Sequence, residues 1–277
     1  MLNTIYGAII GDVVGSVFEF KKPRIKSKDF LFLSDESTFT DDTVMTIAVA
    51  NTLLKVGVKN EEKFKQTLIE QMHYWGNKYL AVGYGARFED WLKTYNKTPY
   101  NSYGNGSAMR VSPIGLFCKT VDEAEKVAKW SAEVTHNHVE GIKGAQSVVS
   151  VMMFLRKGYG KFYAKKYVED VYGYNLDRKL EDIRSNYTFK VSCQESVPES
   201  ILSFFYGNSY EDCIRNAVSL GGDTDTQAAI AGSMANIVYD IDEQLIEECK
   251  KRLPEDILEV CEKFQKKINK IKIKRIM

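Results

Sequence analysis

Gly7, Gly11 and Gly15 recur every four residues within the apolar run "MLNTIYGAIIGDVVGSVFEF" (1–20). On an α-helix that spacing places all three on one face. A face without side chains permits close approach of a neighbouring helix, although each glycine costs helix propensity. The stripe is therefore tolerable in a chain that packs helix on helix, and a helix is expected over 3–20. On it Asp12 and Glu19, seven residues apart, are expected to share a face.

The rest of the chain agrees with a mainly helical fold. Only five prolines occur in 277 residues, and apolar residues recur with helical period through most of the length. "TDDTVMTIAVANTLLKVG" reads as a capped helix ending near Gly57, followed by amphipathic helices over 60–80 and 85–95 that carry Trp75 and Trp91. Residues 100–115 read as a glycine- and asparagine-rich loop running into a buried segment. Helices are expected over 121–134 and 139–157, joined through "EVTHNH", and again over 196–207, 210–222 and 226–239. Residues 158–200, rich in Lys and Tyr, read as the most irregular stretch, a loop with short helices, and the basic tail "KFQKKINKIKIKRIM" as a frayed helical end. With no strand alternation, linker or low-complexity run, the expectation is one all-α domain over 1–277.

Bulk chemistry excludes several classes of function. Thirty-eight Lys and Arg against 37 Asp and Glu leave no global pull toward nucleic acid or an anionic membrane. The five cysteines (118, 193, 213, 249 and 261) form no CxxC pair, which disfavours a zinc knuckle or a disulfide framework and suits reduced thiols. The apolar N-terminus lacks a basic n-region and carries Asp12 and Glu19. No run reaches the roughly 20 apolar residues of a membrane span. A cytoplasmic monomer is the expectation.

Two acid–threonine clusters carry the chemistry. "SLGGDTDTQAAIAG" (219–232) places Asp223, Asp225 and Thr226 at the start of an apolar helix, and Thr40-Asp41-Asp42-Thr43 has the same form. Either alone reads first as a helix cap. The first string also resembles the haloacid-dehalogenase phosphatase signature, but it follows helical sequence near the chain's end instead of an early apolar strand. As an EF-hand loop it has Ala228 and Met234 where Gly and Glu belong. Together the clusters supply four carboxylates, to which Glu19 and Asp12 would add. Such a group repels itself unless neutralised. Oxygen ligands with no Cys or His beside them favour Mg²⁺ first and Mn²⁺ second, and disfavour zinc.

Three further features stand out. The loop "GNGSAMR" (104–110) offers glycine-flanked amides that suit an anion, or simply a turn. Arg110 enters a buried segment and calls for a carboxylate or phosphate partner. His136 and His138 in "THNH" do not share a helix face and suit a loop that hydrogen-bonds a ligand, whereas His73 reads as packing. Tyr100 and Tyr103, beside the glycine loop, suit stacking on a base.

Taken together, the blocks "GAIIGDVVGSVFEF" (7–20), "FTDDTVMTIAVA" (39–50), "YGNGSAMRVSPIG" (103–115), "SAEVTHNHVEGIKGAQSV" (131–148), "VPESILSFF" (197–205) and "AVSLGGDTDTQAAIAGSMA" (217–235) resemble the ADP-ribosylglycohydrolase family. Val139 departs from the proline frequent in close relatives, and 158–196 matches no motif. The resemblance implies a compact orthogonal all-α bundle with a binuclear Mg²⁺ site, Mn²⁺ being able to substitute. It implies metal ligation by Thr40, Asp41, Asp42, Asp223, Asp225 and Thr226, with Glu19, Asp41 and Asp42 as candidates for catalysis. Substrate contacts are implied for Tyr103, Gly104, Asn105, Gly106, Ser107, Met109, His136 and Gly222. The activity implied is Mg²⁺-dependent release of ADP-ribose from a modified protein side chain, nucleic acid or small molecule. The alternatives are a non-catalytic ADP-ribose or nucleotide binder and a hydrolase of another nucleotide glycoside.

Overall fold

A computed structural model describes residues 3–94 and 97–276. The chain begins with α1 (Tyr6–Gly15), α2 (Asp41–Val56), α3 (Glu61–Lys78) and α4 (Ala86–Lys93). Two short elements follow, α5 (Gly106–Met109) and α6 (Ser112–Phe117), then α7 (Val121–Glu133), α8 (Val139–Arg156) and α9 (Gly160–Tyr172). The remainder is α10 (Leu180–Asn186), α11 (Cys193–Tyr206), α12 (Tyr210–Val218), α13 (Thr224–Val238), α14 (Glu243–Lys250) and α15 (Glu255–Ile276). Among the described residues the only extended pairing is an isolated bridge between Gly104 and Ser192. The fold is all-α, as expected, and buried apolar side chains from most helices join one cluster. All five cysteines are free and buried.

The glycine stripe meets α13, and the approach is backbone to backbone. A Cβ on Gly7 would stand 2.6 Å from Asn236 Cβ, one on Gly11 2.7 Å from the Ala229 nitrogen, and one on Gly15 2.5 Å from Asp225 Cα. Polar ties hold the register. The Thr4 amide donates to Asn236 Oδ1 at 2.7 Å, Tyr210 hydroxyl to the Gly7 carbonyl at 2.8 Å, and Thr224 hydroxyl to the Gly15 carbonyl at 2.8 Å. Every residue of α1 is buried. The pair thus forms the centre of the core.

Two expectations are corrected. The first helix ends at Gly15, not residue 20, so Glu19 lies in the bend beyond and shares no helix face with Asp12. The 158–200 stretch holds the expected helices between loops, as α9, α10 and the start of α11. Ala164, Val168 and Tyr172, spaced by four, bury one stripe of α9 beneath a surface of Lys and Tyr. The 100–115 segment contains α5 and α6 instead of a plain loop. The expected helix over 85–95 runs to Lys93, Tyr95 lying outside the described residues, as do Met1, Leu2 and Met277.

Replacing Gly11 by alanine is expected to destabilise the protein by about 3 kcal/mol or more, because the added carbon meets fixed backbone. Gly85→Ala is the control: its Cβ would meet nothing within 4 Å, and its φ of −62° suits alanine. Paired denaturant titrations check both, and equal losses would refute the close α1–α13 contact as the cause.

Candidate functional site

The start of α2 shows why its two aspartates are free for chemistry. A helix begins with backbone N–H groups that lack partners inside the helix. Here each finds one without using Asp41 or Asp42. The carboxylate of Asp12, buried in α1, accepts from the amides of Thr40 (3.0 Å) and Thr43 (3.1 Å) and from both threonine hydroxyls, Thr40 Oγ1 at 2.7 Å. The Asp42 amide donates to Thr40 Oγ1 at 3.3 Å, and the Asp41 amide to the Val82 carbonyl at 3.0 Å. Capping is thus done by Asp12 and Thr40. The Asp42 Oδ1 oxygen is left buried and without a partner.

The start of α13 behaves likewise. Asp223 stands at the cap position but makes no side-chain cap bond. Its Oδ2 instead accepts from Asn105 Nδ2 at 2.7 Å. Thr226 hydroxyl donates to Asp42 Oδ2 at 3.0 Å, joining the two acid–threonine clusters directly. Carboxylate oxygens gather in two overlapping triplets, Asp12–Asp42–Asp225 and Glu19–Asp223–Asp225, whose members lie within 4.8 Å of one another.

Burial and mutual repulsion push these acids upward. Asp41 and Asp42 are raised well above the usual carboxylate range by burial and then by Asp225. Asp225 is raised by burial and then by Asp223. Burial, with Asp225 next, raises Glu19 to about 9, and burial raises Asp223 to about 6. An orphaned carboxylate oxygen among crowded oxygen donors, with no imidazole or thiolate, fits a hard divalent cation.

The acids line a cavity of about 470 Å³. The glycine loop lines it too, joined to the acids by the Asn105–Asp223 bond and stitched in place by the 191–193 segment. The Asn105 amide donates to the Val191 carbonyl at 2.8 Å, and the Cys193 amide to the Tyr103 carbonyl at 2.8 Å. Arg87, Tyr100, Arg110 and His136, with Phe20, Phe189 and Val191, also line the cavity. The same cavity therefore gathers carboxylates, hydrogen-bond donors and cations.

The residues singled out in the sequence are distributed as follows. Glu19, Asp41, Asp42, Gly104, Asn105, Gly106, Met109, His136, Asp223, Asp225 and Thr226 line the cavity. Thr40 is buried behind it, bonded to Asp12. Ser107 is also buried, donating to the Gly141 carbonyl at 2.7 Å. Gly222 packs tightly under Tyr187 and Gln227. Tyr103 is 49 % exposed, its ring 5.4 Å from His138, and is not part of the cavity lining. The two histidines of "THNH" separate: His136 faces the cavity, whereas His138 caps α8 by accepting the Glu140 amide at 3.1 Å. His73 packs on Trp91, with ring centroids 4.3 Å apart.

Arg110 differs from expectation. It is 1 % exposed, yet its partners are the Ser131 carbonyl (2.7 Å) and the Thr135 hydroxyl (3.0 Å) instead of a carboxylate. The capping role of Asp12 and the 83–88 wall, with Tyr84 and Arg87, were not singled out in the sequence. An acid in the middle of a glycine-striped apolar helix was the available signal for Asp12. Nothing local marks the wall.

Carboxyls raised in the folded chain hold protons that the unfolded chain has already released. Stability of the cation-free protein therefore falls as pH rises from about 4, the ordinary carboxylate value, toward the raised folded values. Asp225→Asn is expected to raise the melting temperature in chelator at pH 8 by several degrees and to do so less at pH 5. A divalent cation should stabilise the native chain more than this variant. A variant melting below the native chain at pH 8 would show that Asp225 holds the fold together instead.

The sequence pattern of the ADP-ribosylglycohydrolase family matches residues 1–272. ADP-ribosylhydrolase ARH3 of Mus musculus is 27 % identical, the match covering 94 % of this chain and 86 % of the relative. The ADP-ribosyl-[dinitrogen reductase] glycohydrolase of Rhodospirillum rubrum is 23 % identical over 87 % and 86 %. A solved structure titled "ADP-ribosylglycohydrolase-related protein complex" superposes with a TM-score of 0.71 at 19 % identity, covering 96 % of this chain and 97 % of that one.

Proposed function

The chain belongs to the ADP-ribosylglycohydrolase family, and on that premise we propose that it is a Mg²⁺-dependent hydrolase releasing ADP-ribose from a modified acceptor. The observation that carries this reading is a single cavity lined by clustered acids together with the glycine loop, Arg87, Arg110 and His136. ADP-ribose has the matching groups: a ribose with vicinal hydroxyls at the scissile end and a diphosphate beyond it.

Thr40, Asp41, Asp42, Asp223, Asp225 and Thr226 are assigned to holding two Mg²⁺ ions, which Mn²⁺ could replace. When bound, such ions neutralise the acids, hold ribose hydroxyls and acidify a water. Cleavage at the anomeric carbon passes through an oxocarbenium-like state, which neighbouring carboxylates stabilise. Asp41, Asp42 and Glu19 are the candidates for orienting the attacking water and accepting its proton. The Gly106 and Ser107 amides and the His136 side chain receive the diphosphate. Asn105 links the acids to the loop, since its side chain fixes Asp223 while its backbone belongs to the loop. Phe20, Phe189 and Val191 line the cavity and are assigned to the acceptor side.

Purified protein incubated with arginine-, serine- and nucleobase-linked ADP-ribose is expected to release ADP-ribose with Mg²⁺ and to stop in chelator. Asp225→Ala should lose activity about 100-fold or more while keeping its helical circular-dichroism signal. Tight ADP-ribose binding with no release from any substrate would instead make the chain a binder.

A further inference from the structure

His136 lies on a buried chain of donors that leads away from the cavity. Its Nδ1 is 2.8 Å from Thr135 Oγ1, and that oxygen accepts from Arg110 Nη2 at 3.0 Å. Arg110 also donates to the Ser131 carbonyl at 2.7 Å, which fixes the guanidinium from a second side. Its Nε is buried without a partner. Thr135 is fully buried.

The proton on each atom follows from what each group is able to do. A guanidinium only donates, so the Thr135 oxygen is an acceptor toward Arg110. The one hydroxyl proton of Thr135 then needs its own acceptor, and the only one it meets among the described residues is His136 Nδ1. Nδ1 therefore carries no proton, and in the neutral ring the proton sits on Nε2. An imidazolium is disfavoured by burial first and by the nearby Arg110 and Arg87 charges next, which hold His136 well below its usual range.

Nε2 is the atom beside the glycine loop. A Cβ on Gly106 would stand 3.2 Å from it and one on Gly104 3.5 Å. The two glycines thus leave His136 room at the cavity wall. We infer that Arg110 is a positioning residue that acts through Thr135 to hold His136 as a neutral Nε2–H donor toward an anionic ligand oxygen. Naming that oxygen as part of an ADP-ribose diphosphate rests on the proposed function, but the proton arrangement does not.

The test is nitrogen-15 NMR of histidine-labelled full-length protein at pH 7, free of ligand. Only three histidines are present, so His73→Gln and His138→Asn assign the signals. Native His136 is expected as the Nε2–H tautomer, with Nδ1 displaced by an accepted hydrogen bond. Thr135→Val should remove that displacement, Thr135→Ser should restore it, and Arg110→Gln, checked for folding by its melt, should reduce it. ADP-ribose affinity should fall about tenfold in Thr135→Val and recover in Thr135→Ser. An imidazolium or Nδ1–H ring in the native protein overturns the inference, as does an unchanged Nδ1 signal in Thr135→Val. Should the signals behave as expected while native protein ignores ADP-ribose, the relay stands and the ADP-ribose reading falls.

Discussion

The close contact between α1 and α13 is the constraint on which the rest of the molecule depends. Three glycines on α1 let its backbone touch that of α13, with Asn236, Ala228–Ala229 and Thr224–Asp225 against them in turn. Any side chain there would push the helices apart. The separation sets where Asp12 stands relative to Asp225, since one lies on each helix. It also delivers the start of α13 to the start of α2, where Thr226 reaches Asp42. The metal-competent acids are therefore a product of packing, not of any local loop.

That arrangement works against stability in the absence of a cation. Asp12 is compensated, because four hydrogen bonds from Thr40 and Thr43 converge on it. Asp41, Asp42, Asp225 and Glu19 have no such compensation, and burial with mutual repulsion raises all of them. The fold holds them together through the apolar contacts and polar ties around them. Sites that concentrate strain or like charge in this way are the common exception to sequence–structure consistency, and they tend to be functional.

Elsewhere in the cavity the same principle takes another form. Arg110 lines the cavity and is buried with neutral partners in place of a carboxylate, so its positive charge is not cancelled by a neighbouring acid. The neutral ring of His136 and the glycine loop stand in front of it.

Much of this was legible in the chain before any coordinates. Four-residue glycine spacing announced a helix pair, and paired acid–threonine strings at two helix starts announced more carboxylate than caps require. Both are local patterns, and local patterns follow from helical period and capping geometry alone. The helices within 158–200 could not be bounded from sequence because Lys and Tyr on the outside of α9 masked its buried stripe of Ala164, Val168 and Tyr172. Glu19 was placed on a helix because apolar residues continue past Gly15, where the chain in fact turns. The sequence by itself determined most of the helices and the identity of the acids, since these depend on neighbours within a turn or two. Only the tertiary structure decided that Asp12 would cap a helix 28 residues away, that Arg110 would face Thr135 instead of an acid, and that His136 and not His138 would face the cavity. Those outcomes depend on which backbones approach closely enough to exclude water, and no spacing within one segment records that.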